Sequence, residues 1–279
     1  MTDRSAATNL QTYEAPHVVA EYAALDYLTP CERLLFDTYI KPRSAILDLG
    51  VGGGRTTAYL SRLASRYVGV DYAAAMIRAC QTKFPGLEFA VADAADLSAF
   101  ADASFEVIVF AFNGVDYVLP DQSRRACFKH IHRVLKAGGI VIFSSHNARA
   151  VLVSQRWNKE RVRRVARQLS AGSKMLYGSL FAILTSVRAV VGFASSVAAS
   201  LPRLTKRIPS RVFWRGEGTL VDSVHGGLLT HYWTPVAAID ELSNLHFQPQ
   251  QILGNQYPRS SSRYATDWYY YVFAKSSDR

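Results

Sequence analysis

Ala45-Ile-Leu-Asp-Leu-Gly-Val-Gly-Gly-Gly-Arg55 runs an apolar strand into a glycine-rich turn and on into a helix. Gly50, Gly52 and Gly54 let the backbone turn sharply and approach a ligand that a Cβ would push away. A second apolar strand, Tyr67-Val-Gly-Val-Asp71, ends in a carboxylate 21 residues after Gly50. That is about where a ribose-binding acid sits in nucleotide-binding α/β folds. The two signals together point to an adenosine-bearing cofactor.

Working outward, a third apolar strand, Leu87 to Ala92, ends in Asp93-Ala94, and a fourth, Phe105 to Phe112, ends in Asn113-Gly114. Successive strand ends each present a polar group, which is where ligands bind in open parallel sheets. The turn departs from the dinucleotide spacing G-x-G-x-x-G, because Arg rather than Gly stands at 55. Helical patterns cover Ala15 to Tyr27 and Pro30 to Tyr39, with Thr29-Pro30 as a helix start. Strands near 45–49, 67–71, 88–92, 105–111 and 139–145, with helices between them, predict a parallel sheet with right-handed crossovers. Lys136-Ala-Gly-Gly139 suits the end of the fourth crossover helix. Thr234-Pro235 opens a capped helix, and the aromatic run Asp267 to Ala274 suits a terminal strand.

Four blocks carry a resemblance: ILDLGVGGGRT at 46–56, VGVDYAAAMI at 68–77, FAVADAADL at 89–97 and HRVLKAGGIVIFSSHN at 132–147. In order and spacing the chain resembles the class I S-adenosylmethionine-dependent methyltransferases, small-molecule branch, over residues 40 to 147. The resemblance implies a Rossmann-like, doubly wound, seven-stranded and mostly parallel sheet whose antiparallel last strand lies between parallel neighbours. It implies S-adenosyl-L-methionine as cofactor. Asp48 and the turn Gly50 to Gly54 would cradle the methionine portion, and Asp71 would accept from both ribose hydroxyls, a task suited to two acceptor oxygens. Tyr72 and Met76 would line the adenosine pocket, Asp93 would accept from the adenine amino group, and the Ala94 amide would meet a ring nitrogen. Tyr13 and Tyr22, on an N-terminal helix, would close over the methionine carboxylate, with Asn113 beside cofactor or acceptor.

The 279 residues, 49% of them hydrophobic, suffice for a large core and for one or two domains. Cys31, Cys80 and Cys127 are odd in number and lack metal-ligand or C-x-x-C spacing, so they read as reduced and structural, and no metal site is expected. The polar first fifteen residues lack a basic start and apolar run, which predicts a cytoplasmic location. Three parts are expected: N-terminal helices and cofactor core over 1–146, a helical insert or substrate lid over 147–230, and completion of the sheet over 231–279.

The basic balance is local. Residues 147–215 hold fourteen Lys or Arg against one acid, Glu160, a net charge of +13, while the rest of the chain carries −3. Arg156 to Leu169 reads as a basic amphipathic helix with Val162, Val165, Ala166 and Leu169 on one face. The charge-free runs Met175 to Val187 and Ala189 to Pro202 fall short of the ~20 residues that span a bilayer, so they read as buried or interfacial helices. Three readings stand open: peripheral contact with an anionic membrane, grip on phosphate or carboxylate groups of a soluble substrate, and a solvated lid. Nucleic acid is set aside, because no zinc motif or recognition module accompanies the charge. In its place after the fourth strand, Phe112-Asn-Gly-Val-Asp-Tyr117 also differs from the Asn/Asp-Pro-Pro-aromatic block of amino-methylating nucleic-acid enzymes of this fold.

Methyl transfer from a sulfonium is a direct displacement in which alignment supplies much of the acceleration, and a general base helps when the acceptor is a hydroxyl. His146, at the fifth strand's end, and His231 are the candidate bases, with His225 a third. Asp116 lies by the same opening as Asn113. The acceptor is expected to be a small molecule such as a glycan, glycolipid or other secondary metabolite. The rivals are an NAD(P)-dependent reductase on a related fold and a membrane-associated, non-catalytic S-adenosylmethionine-binding protein.

Overall fold

The computed structural model describes residues 9–150, 176, 179, 183, 186, 209–221, 228–260, 263 and 266–276. The amphipathic helix expected at 156–169 and His225 lie outside the described residues. So does almost all of the two apolar runs.

Two short helices open the described chain, α1 (Pro16–Ala23) and α2 (Pro30–Tyr39). Thr29 and Glu32 close a reciprocal capping box at the start of α2, with Pro30 in the first turn where its missing N–H costs nothing. The helix expected to reach Tyr27 ends at Ala23. There Lys83 Nζ donates to the Ala23 and Leu25 carbonyls, both at 2.9 Å, satisfying groups that a longer helix would have used internally.

The sheet then builds in alternation: β1 (Ser44–Leu49), α3 (Thr57–Leu63), β2 (Ala64–Asp71), α4 (Ala74–Lys83), β3 (Glu88–Val91), β4 (Phe105–Phe110), a 3-10 turn (Gly114–Tyr117), α5 (Asp121–Val134) and β5 (Leu135–His146). After the insert come α6 (Pro209–Arg215), β6 (Glu217–Val221), β7 (Leu229–Trp233), α7 (Pro235–Ser243), β8 (Phe247–Gly254) and β9 (Trp268–Lys275). Seven strands form one sheet in the order β3-β2-β1-β4-β5-β9-β8. β1 pairs in parallel with β2 and β4, and β9 runs antiparallel to both β5 and β8. The last strand therefore sits between parallel neighbours, as expected.

β1 is buried along its whole length, which is why it reads as an unbroken apolar run rather than an alternating one. One face packs Cys127, Phe128, Ile131 and Val134 of α5 with Ala238 and Leu242 of α7. The other packs Leu35 and Phe36 of α2 with Leu60 of α3. With helices on both faces, the loops at the carboxyl ends of β1 and β4 are free to form a crevice where the strand order reverses.

Two expectations need correction. The chain between β3 and β4 turns without forming a helix: Asp93 and Asp96 each bond a backbone N–H two residues on, a local pairing that competes with helical bonding. Gly138 and Gly139 do not end a helix. They form an irregularity inside β5, where pairing jumps from Phe105–Leu135 to Val107–Ile140 and Gly138 adopts φ 70°. β7 pairs with β6 as a separate two-stranded sheet, and the expected boundary at 230/231 falls within β7.

Candidate active site

A cavity opens at the carboxyl ends of β1, β2, β3 and β4. Asp48, Gly50, Val51 and Gly52 line it from the first turn, Asp71, Tyr72 and Met76 from the second, Asp93 and Ala94 from the third, and Phe110, Phe112 and Gly114 from the fourth. Tyr13 and Tyr22 line it from the N-terminal segment. Of the expected cofactor residues, the structure brings together Tyr22, Asp48, Gly50, Gly52, Asp71, Tyr72, Met76, Asp93 and Ala94. Gly54 and Asn113 are not among the residues that line it.

The glycine turn is shaped as much by the protein as by any ligand. Gly50, Gly52 and Gly54 have φ of 60°, 54° and 82°, a region that side chains disfavour. Gly53 has ordinary dihedrals, but a Cβ there would run into the backbone of Tyr22 and Ala23. The end of α1 thus lies directly on the turn.

Asp48 is fully buried and accepts from Thr56 Oγ1 at 2.8 Å and Tyr67 Oη at 2.9 Å. Burial pushes its carboxyl up to about 6, against those hydrogen bonds. Its visible work is to pin the turn rather than to present a bare carboxylate. Asp71 accepts from the Gly52 amide at 2.9 Å with one oxygen and from the Ala73 amide at 2.9 Å with the other. Burial raises it to about 6 as well, opposed by these amide bonds. Each carboxylate oxygen has two lone pairs, so the two amides leave acceptor capacity facing the cavity.

Arg55, the residue that breaks the dinucleotide pattern, has a structural task. It forms a bidentate pair with Glu32 at 2.6 and 2.7 Å and lies over the Phe112 ring at 4.7 Å. Both side chains of the pair are almost fully buried. The pair ties α2 to the glycine turn and to the loop after β4.

Four tyrosine rings close the cavity from one side. Tyr13 meets Tyr22, Tyr72 and Tyr117 edge to face at centroid distances of 5.8, 6.1 and 6.0 Å. The Tyr72 hydroxyl and Asn9 Oδ1 are buried without a hydrogen-bond partner, and both residues line the cavity. Unsatisfied buried groups are costly and call for a ligand or water. Asn9 anchors the helical turn at 9–13 to the second sheet through Nδ2, which bonds the Leu229 carbonyl at 3.4 Å. Asn9, Tyr117 and Arg55 were not among the expected site residues. Nothing in the spacing marks Asn9, which reaches the cavity by a contact 220 residues away in sequence.

The two candidate bases end in different places. His146 sits at the end of β5, its Nδ1 2.7 Å from Asp116 Oδ2 and its Nε2 3.3 Å from Asn113 Nδ2. His231 lies in β7, buried, edge-on to Trp233 at 5.4 Å and 3.7 Å from Asp121. Burial, and then the nearby Arg124, hold it well below the usual histidine range. Neither histidine is among the residues that line the cavity, and β7 turns His231 toward α5. Among the described residues no cluster of ligating side chains could hold a metal ion.

Comparison with known proteins places this geometry. Residues 46–139 match the family model described as a methyltransferase domain. A demethylmenaquinone methyltransferase of Clavibacter sepedonicus is 33% identical over 100 residues, 35% of this chain and 39% of the relative. A methyltransferase of Geobacillus sp. (strain WCH70) is 27% identical over 106 residues, 37% of this chain and 42% of the relative. The chain thus spans less than half the length of these relatives. The crystal structure of an S-adenosylmethionine-dependent methyltransferase from Methanosarcina mazei superposes with a TM-score of 0.56 at 20% identity, covering 91% of this chain and all of that one. The 1,6-didemethyltoxoflavin N1-methyltransferase of Burkholderia thailandensis gives 0.56 at 14% identity, covering 98% and 87%.

Proposed function

We propose, from a core that is a class I S-adenosylmethionine-dependent methyltransferase domain, that this chain transfers the cofactor's methyl group to a small-molecule acceptor. The observation that carries the reading is the Asp71 carboxylate, buried at the end of β2 and oriented by the Gly52 and Ala73 amides beside the glycine turn. The cavity fits the cofactor on its own terms. It offers a carboxylate with spare acceptor capacity for a ribose diol, the exposed acid Asp93 at its rim, and two unsatisfied polar groups, Asn9 Oδ1 and Tyr72 Oη, in an aromatic wall.

When bound, the sulfonium supplies an activated methyl carbon for direct displacement. The protein's part is then alignment and exclusion of water. Asp71 would hold the ribose, Tyr72 and Met76 would flank the adenosine, and the 50–54 turn would meet the methionine portion. Tyr13 and Tyr22 cover the cavity from the N-terminal side. His146 is the group that the arrangement offers for receiving a proton from the acceptor. The acceptor falls within the class of glycans, glycolipids and other secondary metabolites. Calorimetry tests the cofactor reading: S-adenosylmethionine should bind and NAD should not. The reverse result would replace the methyltransferase with a reductase.

A membrane role for the added segment is favoured by one observation. Trp214 at the end of α6 is 75% exposed, and Leu176 and Ile183 are also exposed, within a stretch whose net charge is +13. An aromatic ring among cations suits an anionic lipid surface. No helix among the described residues is long and apolar enough to cross a membrane. Co-sedimentation with vesicles rich in phosphatidylserine should retain the native chain and release Trp214→Ala in part. Equal recovery with neutral vesicles would remove this role.

A further inference from the structure

We propose that Asp116 is a positioning residue that holds His146 as a neutral base, and that the acceptor it serves is a hydroxyl, so that the reaction is an O-methylation. The inference rests on the cofactor reading above and adds the acceptor's chemical class.

The geometry starts with Asp116. It is completely buried in the 3-10 turn, yet its carboxylate is surrounded by donors from the end of β5: the Ser145 hydroxyl, the His146 amide at 2.7 Å and His146 Nδ1 at 2.7 Å. A carboxylate facing Nδ1 fixes the proton there. With the proton on Nδ1, Nε2 is left as the acceptor, and Asn113 Nδ2 stands 3.3 Å from it. The imidazole lone pair is therefore aimed at Asn113, between Phe112 and Gly114, both of which line the cofactor cavity.

Asn113 also has an unspent group. Its Oδ1 is buried with no partner, and its backbone is held at φ 62° by the Ser144 hydroxyl, which accepts from the Asn113 amide at 2.8 Å. An entering acceptor hydroxyl can take the place of the Asn113 Nδ2–H at Nε2. The pair would then orient the hydroxyl: its proton toward the histidine, its oxygen toward the methyl carbon.

In the step itself the acceptor oxygen forms a bond to the methyl carbon while the carbon–sulfur bond breaks, its electron pair staying on sulfur. The hydroxyl proton passes to His146 Nε2. The products are a methyl ether, S-adenosylhomocysteine and an imidazolium facing the Asp116 carboxylate. A hydroxyl needs such a base because its proton must leave as the bond forms. A neutral amine attacks through a lone pair it already has, and would give a buried carboxylate–histidine pair little to do.

Among the described residues the ring pairs with the charged Asp116 at 2.7 Å. β7 contributes the Tyr232 ring at 5.2 Å, β9 places Trp268 opposite His146 and Tyr269 opposite Ser145, and burial and then the Asp116 charge raise the pKa of the Tyr271 hydroxyl. The rate should therefore fall at acid pH as the imidazole protonates. In Asp116→Asn the acid limb should move to lower pH, because the anion that favours the imidazolium is gone.

The experiment incubates the full chain with methyl-13C S-adenosylmethionine and a small-molecule cell extract, and reads the labelled product by NMR. The label is expected on oxygen. His146→Gln should lower kcat by about 100-fold or more with KM little changed, and Asp116→Asn by about 10-fold with the shifted acid limb. Label on nitrogen or carbon, or full activity in His146→Gln, would overturn the inference. Nitrogen-15 histidine NMR of the native chain needs no acceptor: an Nδ1-protonated His146 is expected, and an Nε2-protonated ring contradicts it. Calorimetry with S-adenosylmethionine separates the two readings, since failure to bind refutes the proposed function whereas N-methylation with binding intact refutes only this inference.

Discussion

The cofactor side of the crevice and the acceptor side are built by different rules. At the ends of β1 and β2, the charged groups are pinned by neighbours: Asp48 by Thr56 and Tyr67, Asp71 by two backbone amides, Arg55 by Glu32. At the ends of β4 and β5, one group stands unspent, Asn113 Oδ1, beside the 3.3 Å contact between Asn113 Nδ2 and His146 Nε2. The first arrangement suits a ligand that is always the same. The second suits one that must enter, react and leave, which is why substitutions on the two sides should fail in different ways.

The largest effect should come from the buried ion pair. Glu32→Gln leaves the Arg55 charge buried and half paired, which should lower stability by about 3–5 kcal/mol, read as the urea midpoint. A loss below 1 kcal/mol would mean the pair does not anchor the turn. Next, Asp71→Ala should weaken S-adenosylmethionine binding by about 100-fold through loss of two charge-assisted acceptor positions, with smaller effects on unfolding. Gly53→Ala should cost about 1–3 kcal/mol by overpacking against Tyr22 and Ala23, while Gly86→Ala, which meets nothing within 4 Å, probes only backbone strain at φ 92°. A Gly53→Ala chain with native stability and cofactor affinity would show that α1 does not clamp the turn.

The smallest effect is in pH. Asp48 and Asp71 titrate in the folded chain near 6, above the ordinary 3.8, because burial disfavours their charged forms. Between those values the folded chain binds more protons than the unfolded one, so these two groups contribute less stability as pH rises through the window. Cofactor affinity should run the opposite way, falling as pH drops below about 6, because a protonated Asp71 loses acceptor capacity. Titration calorimetry at pH 5 and 7.5 checks the sign.

The difference between the two sides also explains what the sequence made legible. The cofactor side is written in local signals: an apolar strand, glycines at left-handed positions, and a carboxylate one crossover later. Those signals placed β1, β2, the turn and Asp71 correctly. The antiparallel last strand followed from the family resemblance. By contrast, Gly138-Gly139 carries the same composition as a helix end and instead forms an irregularity in β5, because the pairing with β4 decides the matter over a long range. The sequence puts Asn113, Asp116 and His146 by one opening, but no spacing rule predicts the bond between Asp116 and His146, which are 30 residues apart. Likewise the sequence offers His231 as a candidate alongside His146, but it stands in the middle of β7, which belongs to a separate sheet and turns it into the interior.

The most direct measurement compares the two sides in one experiment, S-adenosylmethionine calorimetry on the native chain, Asp71→Ala and His146→Gln. The account predicts binding by the native chain, about 100-fold weaker binding by Asp71→Ala, and native affinity in His146→Gln. Native affinity in Asp71→Ala, or no binding by the folded native chain, would contradict it.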